Sequence, residues 1–161
     1  AEISLDIFSE VDGVELIQRT PIFAKLGFDE THRLAEIMRV EKHPRGTLVI
    51  EQDSLGRALY IIREGEVAVK RRDSKGQRDT LVRLGPGELF GEMSLIDDHL
   101  ASADVEVTSA DLEVLVIARD EFERLVDSND RLAAKVYKSF CRTLSDRLRR
   151  LNQRFAELNN E

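Results

Sequence analysis

The stretch from Gly87 to Val107, GELFGEMSLIDDHLASADVEV, combines two glycines, a short helical-looking turn and an alternating run of strand character. In that order these elements form a cradle where backbone N–H groups can meet an anion. The side chains argue the other way. Glu88, Glu92, Asp97, Asp98, Asp104 and Glu106 bring six carboxylates, and the stretch holds no Lys or Arg. Unpaired carboxylates repel a bound anion. The residues leave two readings open, an anion pocket or the remains of one.

Other chemistries find less support. His32, His43 and His99 are far apart and form no His-x-His pair of the kind a metal site on a β-roll needs. Asp97-Asp98-His99 reads as a polar surface turn, and neither His43 nor His99 sits in a haem-binding pattern. Ser94 and Ser102 have no evident histidine partner, and Cys141 falls on a helix as an unactivated thiol. No catalytic residues, no metal and no enzyme activity are expected. With one cysteine the chain can form no internal disulfide, which suits a reducing cytoplasm.

The charge is uneven. Residues 129–161 hold eight bases (among them Arg142, Arg147, Arg149, Arg150 and Arg154) against four acids, a net +4. The chain as a whole carries −7, so the other 128 residues carry −11. This disfavours general nucleic-acid binding and describes a basic helix on an acidic body. No apolar run approaches 18 residues, so no membrane span is expected, and no signal peptide is evident.

The elements that must position the cradle fall into three blocks of a single domain. Residues 1–42 read as an N-terminal helical segment: Ile3, Leu5, Ile7 and Phe8 open it, a helix over DGVELIQRTPIF breaks at Pro21, and FDETHRLAEIM follows. In the last of these, Asp29 and Thr31 are N-cap candidates, with Leu34, Ile37 and Met38 on one face. Residues 43–118 change to short β-rich runs punctuated by glycine, with a hairpin turn at Gly65 and an exposed hairpin loop around Gly76. Pro44-Arg45-Gly46-Thr47-Leu48-Val49 is echoed by Gly85-Pro86-Gly87-Glu88-Leu89-Phe90, as in a roll whose halves both begin with a glycine turn. The fold class is mainly β with flanking α: an antiparallel β-roll or jelly-roll barrel with N-terminal helices and a long C-terminal helix.

Residues 119–161 are helical. A short helix precedes one of about 30 residues capped by Ser128 or Asn129, roughly 45 Å long. A body with a radius of gyration of roughly 15 Å leaves such a helix overhanging. Its apolar positions Leu144, Leu148, Leu151, Phe155 and Leu158 step by 4, 3, 4, 3, a coiled-coil seam. The seam calls for a second copy of the chain, a homodimer, and the arginines beside it read as solvated flanks.

Taken together, the glycines at 46, 65, 87 and 91, LYIIREGEVAV, FGEMSL and ASADVEV, and the closing long helix resemble the cyclic nucleotide-binding domains. These are the sensor modules of catabolite-type regulators, cyclic-nucleotide-dependent kinases and gated channels. The resemblance covers roughly residues 20–155, with a phosphate-cassette-like loop over 87–107. It implies that Gly91 and Glu92 meet a ribose hydroxyl, that N–H groups from Gly91 through Met93 to Ser94 face the anion, and that Ser102 touches the cyclic phosphate. The family's arginine falls on Ala101, and Asp98 and Leu100 stand where glycine and proline are common. Removing one partner of a buried charge pair costs several kcal/mol, about 10²–10⁴ in affinity. His99, Arg57 and Arg83 are the candidate substitutes.

The reading is a regulatory or signalling module, dimeric through its last helix, with weak or lost binding of cAMP or cGMP. The alternatives are a functional sensor using a substitute base, or the sensor half of a transcription regulator lacking its DNA-binding domain. No DNA partner is expected unless the chain is a fragment of such a regulator.

Overall fold

The computed structural model describes residues 13–160. Ile3, Leu5, Ile7 and Phe8 lie outside them. Helix α1 covers residues 13–19 and ends before Pro21, which removes an amide donor. Helix α2 is Phe28–Glu36. Its N-cap is Gly27 and not Asp29 or Thr31: the Glu30 carboxylate accepts from Gly27 N–H at 2.8 Å, and Thr31 Oγ1 donates to Gly27 O. A carboxylate three residues in reaches back to the first free amide, so the helix starts one turn earlier than a Thr31 cap would place it.

Eight strands follow: β1 Met38–Pro44, β2 Leu48–Ile50, β3 Ala58–Glu64, β4 Val67–Arg72, β5 Arg78–Leu84, β6 Leu89–Phe90, β7 Asp104–Val107 and β8 Asp111–Ala118. They form two antiparallel four-stranded sheets, β1-β8-β3-β6 and β2-β7-β4-β5. The helical segment expected to reach residue 42 stops at Glu36, because Met38–Pro44 pairs along its whole length with β8. As the edge strand of its sheet, β1 pairs with β8 on one side and leaves the other side of its backbone to solvent.

Strand β8 explains how the layers are joined. Leu112, Val114 and Val116 face into the roll, where they meet Ile62, Val67, Phe90, Val105 and Val107. Leu115 and Ile117 face the opposite way, onto Ile17, Phe23, Leu34, Phe122, Leu132, Val136 and Phe140. A strand buried on both faces reads as a continuous apolar run rather than an alternating one. The helices thus rest on the outer face of the first sheet, which is the surface their apolar stripes require.

Helix α3 is Arg119–Ser128 and α4 is Asp130–Asn159. Asn129 caps α4, its side-chain oxygen accepting from Leu132 N at 3.0 Å. The first half of α4 is anchored by buried Leu132, Val136 and Phe140, whereas residues 146–160 are all exposed. Among the described residues no helix is long and apolar enough to cross a membrane.

Candidate functional site

A cavity of about 1060 Å³ lies between the roll and α4. Its floor is apolar, with Ile50, Val69, Leu84, Phe90 and Val105 among its lining. One rim is the 87–103 segment, which contributes Gly91, Glu92, Met93, Ser94, Ala101 and Ser102. The six residues singled out in the sequence therefore converge on one space.

Gly91 turns the chain from β6 into a single 3₁₀ turn, Glu92–Leu95, with φ at +79°. A Cβ there would stand 2.7 Å from Ala58 O and 3.3 Å from Ile50 Cδ1 and Tyr60 Cδ2. Glycine is the only residue that combines this left-handed backbone with so close an approach to β3. Beside it the rings of Tyr60 and Phe90 stack at 4.9 Å, and burial pushes the Tyr60 phenol above its ordinary range. The Ser94 hydroxyl lies 2.9 Å from Ala58 O and 2.6 Å from Gly91 O, so it serves the turn. Ser102, in contrast, lines the cavity with no hydrogen-bond partner among the described residues.

Ala101 is held firmly. Its N–H donates to Ser54 O at 2.8 Å, its carbonyl accepts from Asp53 N at 2.8 Å, and Leu100 bridges Leu55. The backbone is tied down and the side chain in the cavity is a methyl group.

The six carboxylates do not act as a block of repelling charge, as the sequence suggested. Glu92 takes a hydrogen-bonded ion pair from Arg147 of α4. Asp98 meets Arg119 at 2.6 Å, Asp104 meets Arg78 at 3.1 Å, and Glu106 meets Lys70 at 2.5 Å. Glu88 accepts from Gly85 N and Asp97 from His99 N. Each has a hydrogen-bonding partner, and four of them, Glu92, Asp98, Asp104 and Glu106, are paired with bases remote in sequence. The Lys70 hydrogen bond holds the Glu106 carboxyl below its usual value, outweighing the opposing effect of burial.

Of the substitute bases named from sequence, only His99 lines the cavity. Arg83 pairs with Glu66 on the outer face of β5 at 3.2 Å, and Arg57 lines a separate, smaller recess beside Arg119. Two guanidinium groups that sequence reasoning assigned to solvated helix flanks, Arg147 and Arg150, line it instead. Their signal was weak: they lie three apart on α4, next to seam position Leu144, which also lines the cavity.

The sequence profile described as "Cyclic nucleotide-binding domain" matches residues 40–129, which is the β-roll together with α3. The chain belongs to the cyclic nucleotide-binding domain family. It is 37% identical over 107 residues to the Cyclic AMP receptor protein of Thermus thermophilus, a match covering 66% of this chain and 49% of that receptor. A solved cyclic nucleotide-binding domain from Methylobacillus flagellatus KT superposes with a TM-score of 0.77 at 26% identity, over 92% of this chain and 83% of that one. The regulatory subunit of a cAMP-independent protein kinase A from Trypanosoma brucei, in a triple mutant bound to cAMP, is also similar. It gives a TM-score of 0.72 at 25% identity, covering 86% of this chain and 48% of that one. The chain spans about half the length of the receptor.

Proposed function

We propose that this chain is a regulatory module of its family, not a catalytic one, in which binding of cAMP or cGMP is weak or lost and α4 pairs with a second copy. The carrying observation is the Ala101 methyl in a cavity that retains the Gly91–Glu92 frame. A cyclic phosphodiester is a permanent monoanion, and burial without a paired cation is costly. The trypanosomal relative lends support: the cAMP-bound form carries three substitutions, one of them threonine to arginine. A single cysteine, Cys141, keeps a reducing cytoplasm as the working compartment.

The test is calorimetry with cAMP and cGMP on the native chain and on Ala101→Arg. Binding gained only by the variant supports the missing-cation reading. Tight binding by the native chain overturns it.

A second reading, the sensor half of a longer regulator, draws on the 49% of the receptor that the chain covers. A reading frame that continues beyond Glu161 into a DNA-binding helix would favour it.

A further inference from the structure

Four large apolar side chains gather at the lip of the cassette. Leu55 and Leu100 face each other across a β-bridge. Met93 and Ile96 lie three apart on the 3₁₀ turn and its cap, a spacing that puts side chains on one side. Gly56 rests against Ser94, where a Cβ on it would stand 3.0 Å from Ser94 Cβ, so the two pairs are neighbours. All four remain 43–58% exposed. Apolar side chains gathered in this way mark an interaction surface more than scattered exposure does.

The patch is bordered by acid. The recess beside Leu55 holds Asp98, Asp120 and Glu123 against Arg57 and Arg119, and Asp53 is tied by its N–H to Ala101 O, next to Leu100. Four carboxylates thus stand against two guanidinium groups, a net −2. The outer half of α4 is the converse surface. Its exposed stripe of Leu148, Leu151, Phe155 and Leu158 is flanked by four arginines against Asp146 and Glu157, a net +2 over residues 146–160. The two surfaces agree in apolar character and are opposite in charge. Two α4 helices laid on each other would instead set +2 against +2 within a Debye length of about 8–10 Å. Residues 146–160 are all exposed on their own chain, so the helix that fits this patch comes from another copy.

We propose that the outer half of α4 of one copy lies on the Leu55–Leu100 patch of a second, its leucines and Phe155 on the apolar side chains and its arginines toward the bordering acids. This rests on the reading that α4 pairs with a second copy, and it names the surface with which α4 pairs. A two-fold arrangement closes at two copies, each helix on the other's patch. Met93 and Leu100 belong both to this patch and to the cavity lining, so assembly and the contents of the cavity bear on the same two side chains.

The test is sedimentation of two variants, alone and mixed, each changed only at exposed side chains so that the fold is kept. One is Leu55→Ser with Leu100→Ser, which removes the patch. The other is Leu151→Asp with Phe155→Asp, which removes the helix stripe. The native chain is expected to sediment as two copies and each variant as one, its self-association weakened about tenfold or more. Mixing the variants should restore a two-copy mass, because each keeps the surface that the other lacks. Raising salt should weaken the native association, as it does for opposite charges. A patch variant that associates like the native chain overturns the proposal and leaves the pairing of α4 standing. A mixture that stays monomeric, or a native association that tightens with salt, also overturns it. A native chain that sediments as one copy overturns the pairing itself, and this proposal with it.

Discussion

Arg147 of α4 donates to the carboxylate of Glu92, joining the turn after β6 to a helix 55 residues later in the chain. Glu92 is nearly buried at 12% exposure and Arg147 is half exposed at 45%. With one partner this wet, the pair stabilises by less than about 1 kcal/mol. Its effect is on position: it is the side-chain link between the cassette and the outer half of α4. Arg147→Met, which keeps the aliphatic stem, is expected to leave the urea midpoint almost unchanged. Amide exchange over residues 143–150 should quicken while that over 132–140, anchored by Leu132, Val136 and Phe140, stays slow. Equal acceleration of both halves would refute a local tether.

Gly91 and Gly87 both adopt positive φ, at +79° and +85°, but only Gly91 is crowded. Alanine at 87 meets nothing within 4 Å and bears only the backbone penalty of about 1–2 kcal/mol. Alanine at 91 adds a 2.7 Å clash with Ala58 O, so β3 or the 3₁₀ turn must shift. The expected loss for Gly91→Ala is at least about 1 kcal/mol beyond that of Gly87→Ala, in the range of overpacked sites. Denaturant unfolding of the two variants decides it, and equal losses would mean the turn is soft.

Asp104 is the most deeply set charge near the cassette, its side chain 2% exposed. It accepts from Gln52 N at 2.7 Å, lies 3.1 Å from Arg78 and 3.6 Å from Arg72, and so fixes the loop after β2 to the β4–β5 hairpin. Asp104→Ala leaves Gln52 N without an acceptor, but both arginines can turn to water. The expected cost is about 3 kcal/mol, the low end for a broken buried pair. Asp104→Asn keeps one acceptor and should cost less than the alanine change. A loss under 0.5 kcal/mol for Asp104→Ala, on the scale of an ordinary surface change at about ±0.5 kcal/mol, would place this network outside the fold's energetics.

Much of this was legible locally. The echoed glycine turns are both observed, Gly46 leading into β2 and Gly87 into β6, each with positive φ. Strand β8 announced itself as an apolar run because both its faces are covered. Strand β1 did not, since Met38-Arg39-Val40-Glu41 continues a helical stripe and only pairing with β8 settles its state. Strand β6 is two residues long, below any periodicity. At the site, the convergence of Gly91, Glu92 and Ala101 on one cavity was legible because they lie in one continuous segment. The partners of Glu92, Asp98, Asp104 and Glu106 were not, because Arg147, Arg119, Arg78 and Lys70 approach through tertiary structure. Local sequence records a carboxylate but not the base that folding brings to it.

Acid should loosen the fold in a defined window. Glu106 is held below its ordinary value mainly by the Lys70 hydrogen bond. At Glu30 burial is the largest influence and acts upward, yet the hydrogen bonds from Lys135 and Gly27 outweigh it and the net direction is down. A carboxyl lowered by folding contributes stability above its unfolded value, and that contribution is lost as pH falls through the folded value. The urea midpoint is therefore expected to decline below the ordinary carboxylate value of 4.5 and not between neutrality and that point. Glu106→Gln should flatten part of the decline. A decline of the same size in Glu106→Gln would remove this pair from the account.

Beyond the Arg147–Glu92 pair the outer half of α4 packs on nothing of its own chain, since residues 146–160 are all exposed and Leu148, Leu151, Phe155 and Leu158 are 59–69% exposed. An isolated helical segment of about 12–15 residues is marginal in water. Leu144 turns toward the cavity, so the seam available to a partner begins at Leu148. If two copies pair through it, helicity becomes a function of concentration. Dilution should then lower the far-ultraviolet helical signal together with the sedimentation mass. Replacing Leu151 and Phe155 together by Asp is expected to give a monomer with that reduced helicity at every concentration, while the β-roll unfolds at the native midpoint. A native chain that sediments as a monomer with full helicity would mean that α4 stands without a partner, and the seam would have to be explained by something other than self-association.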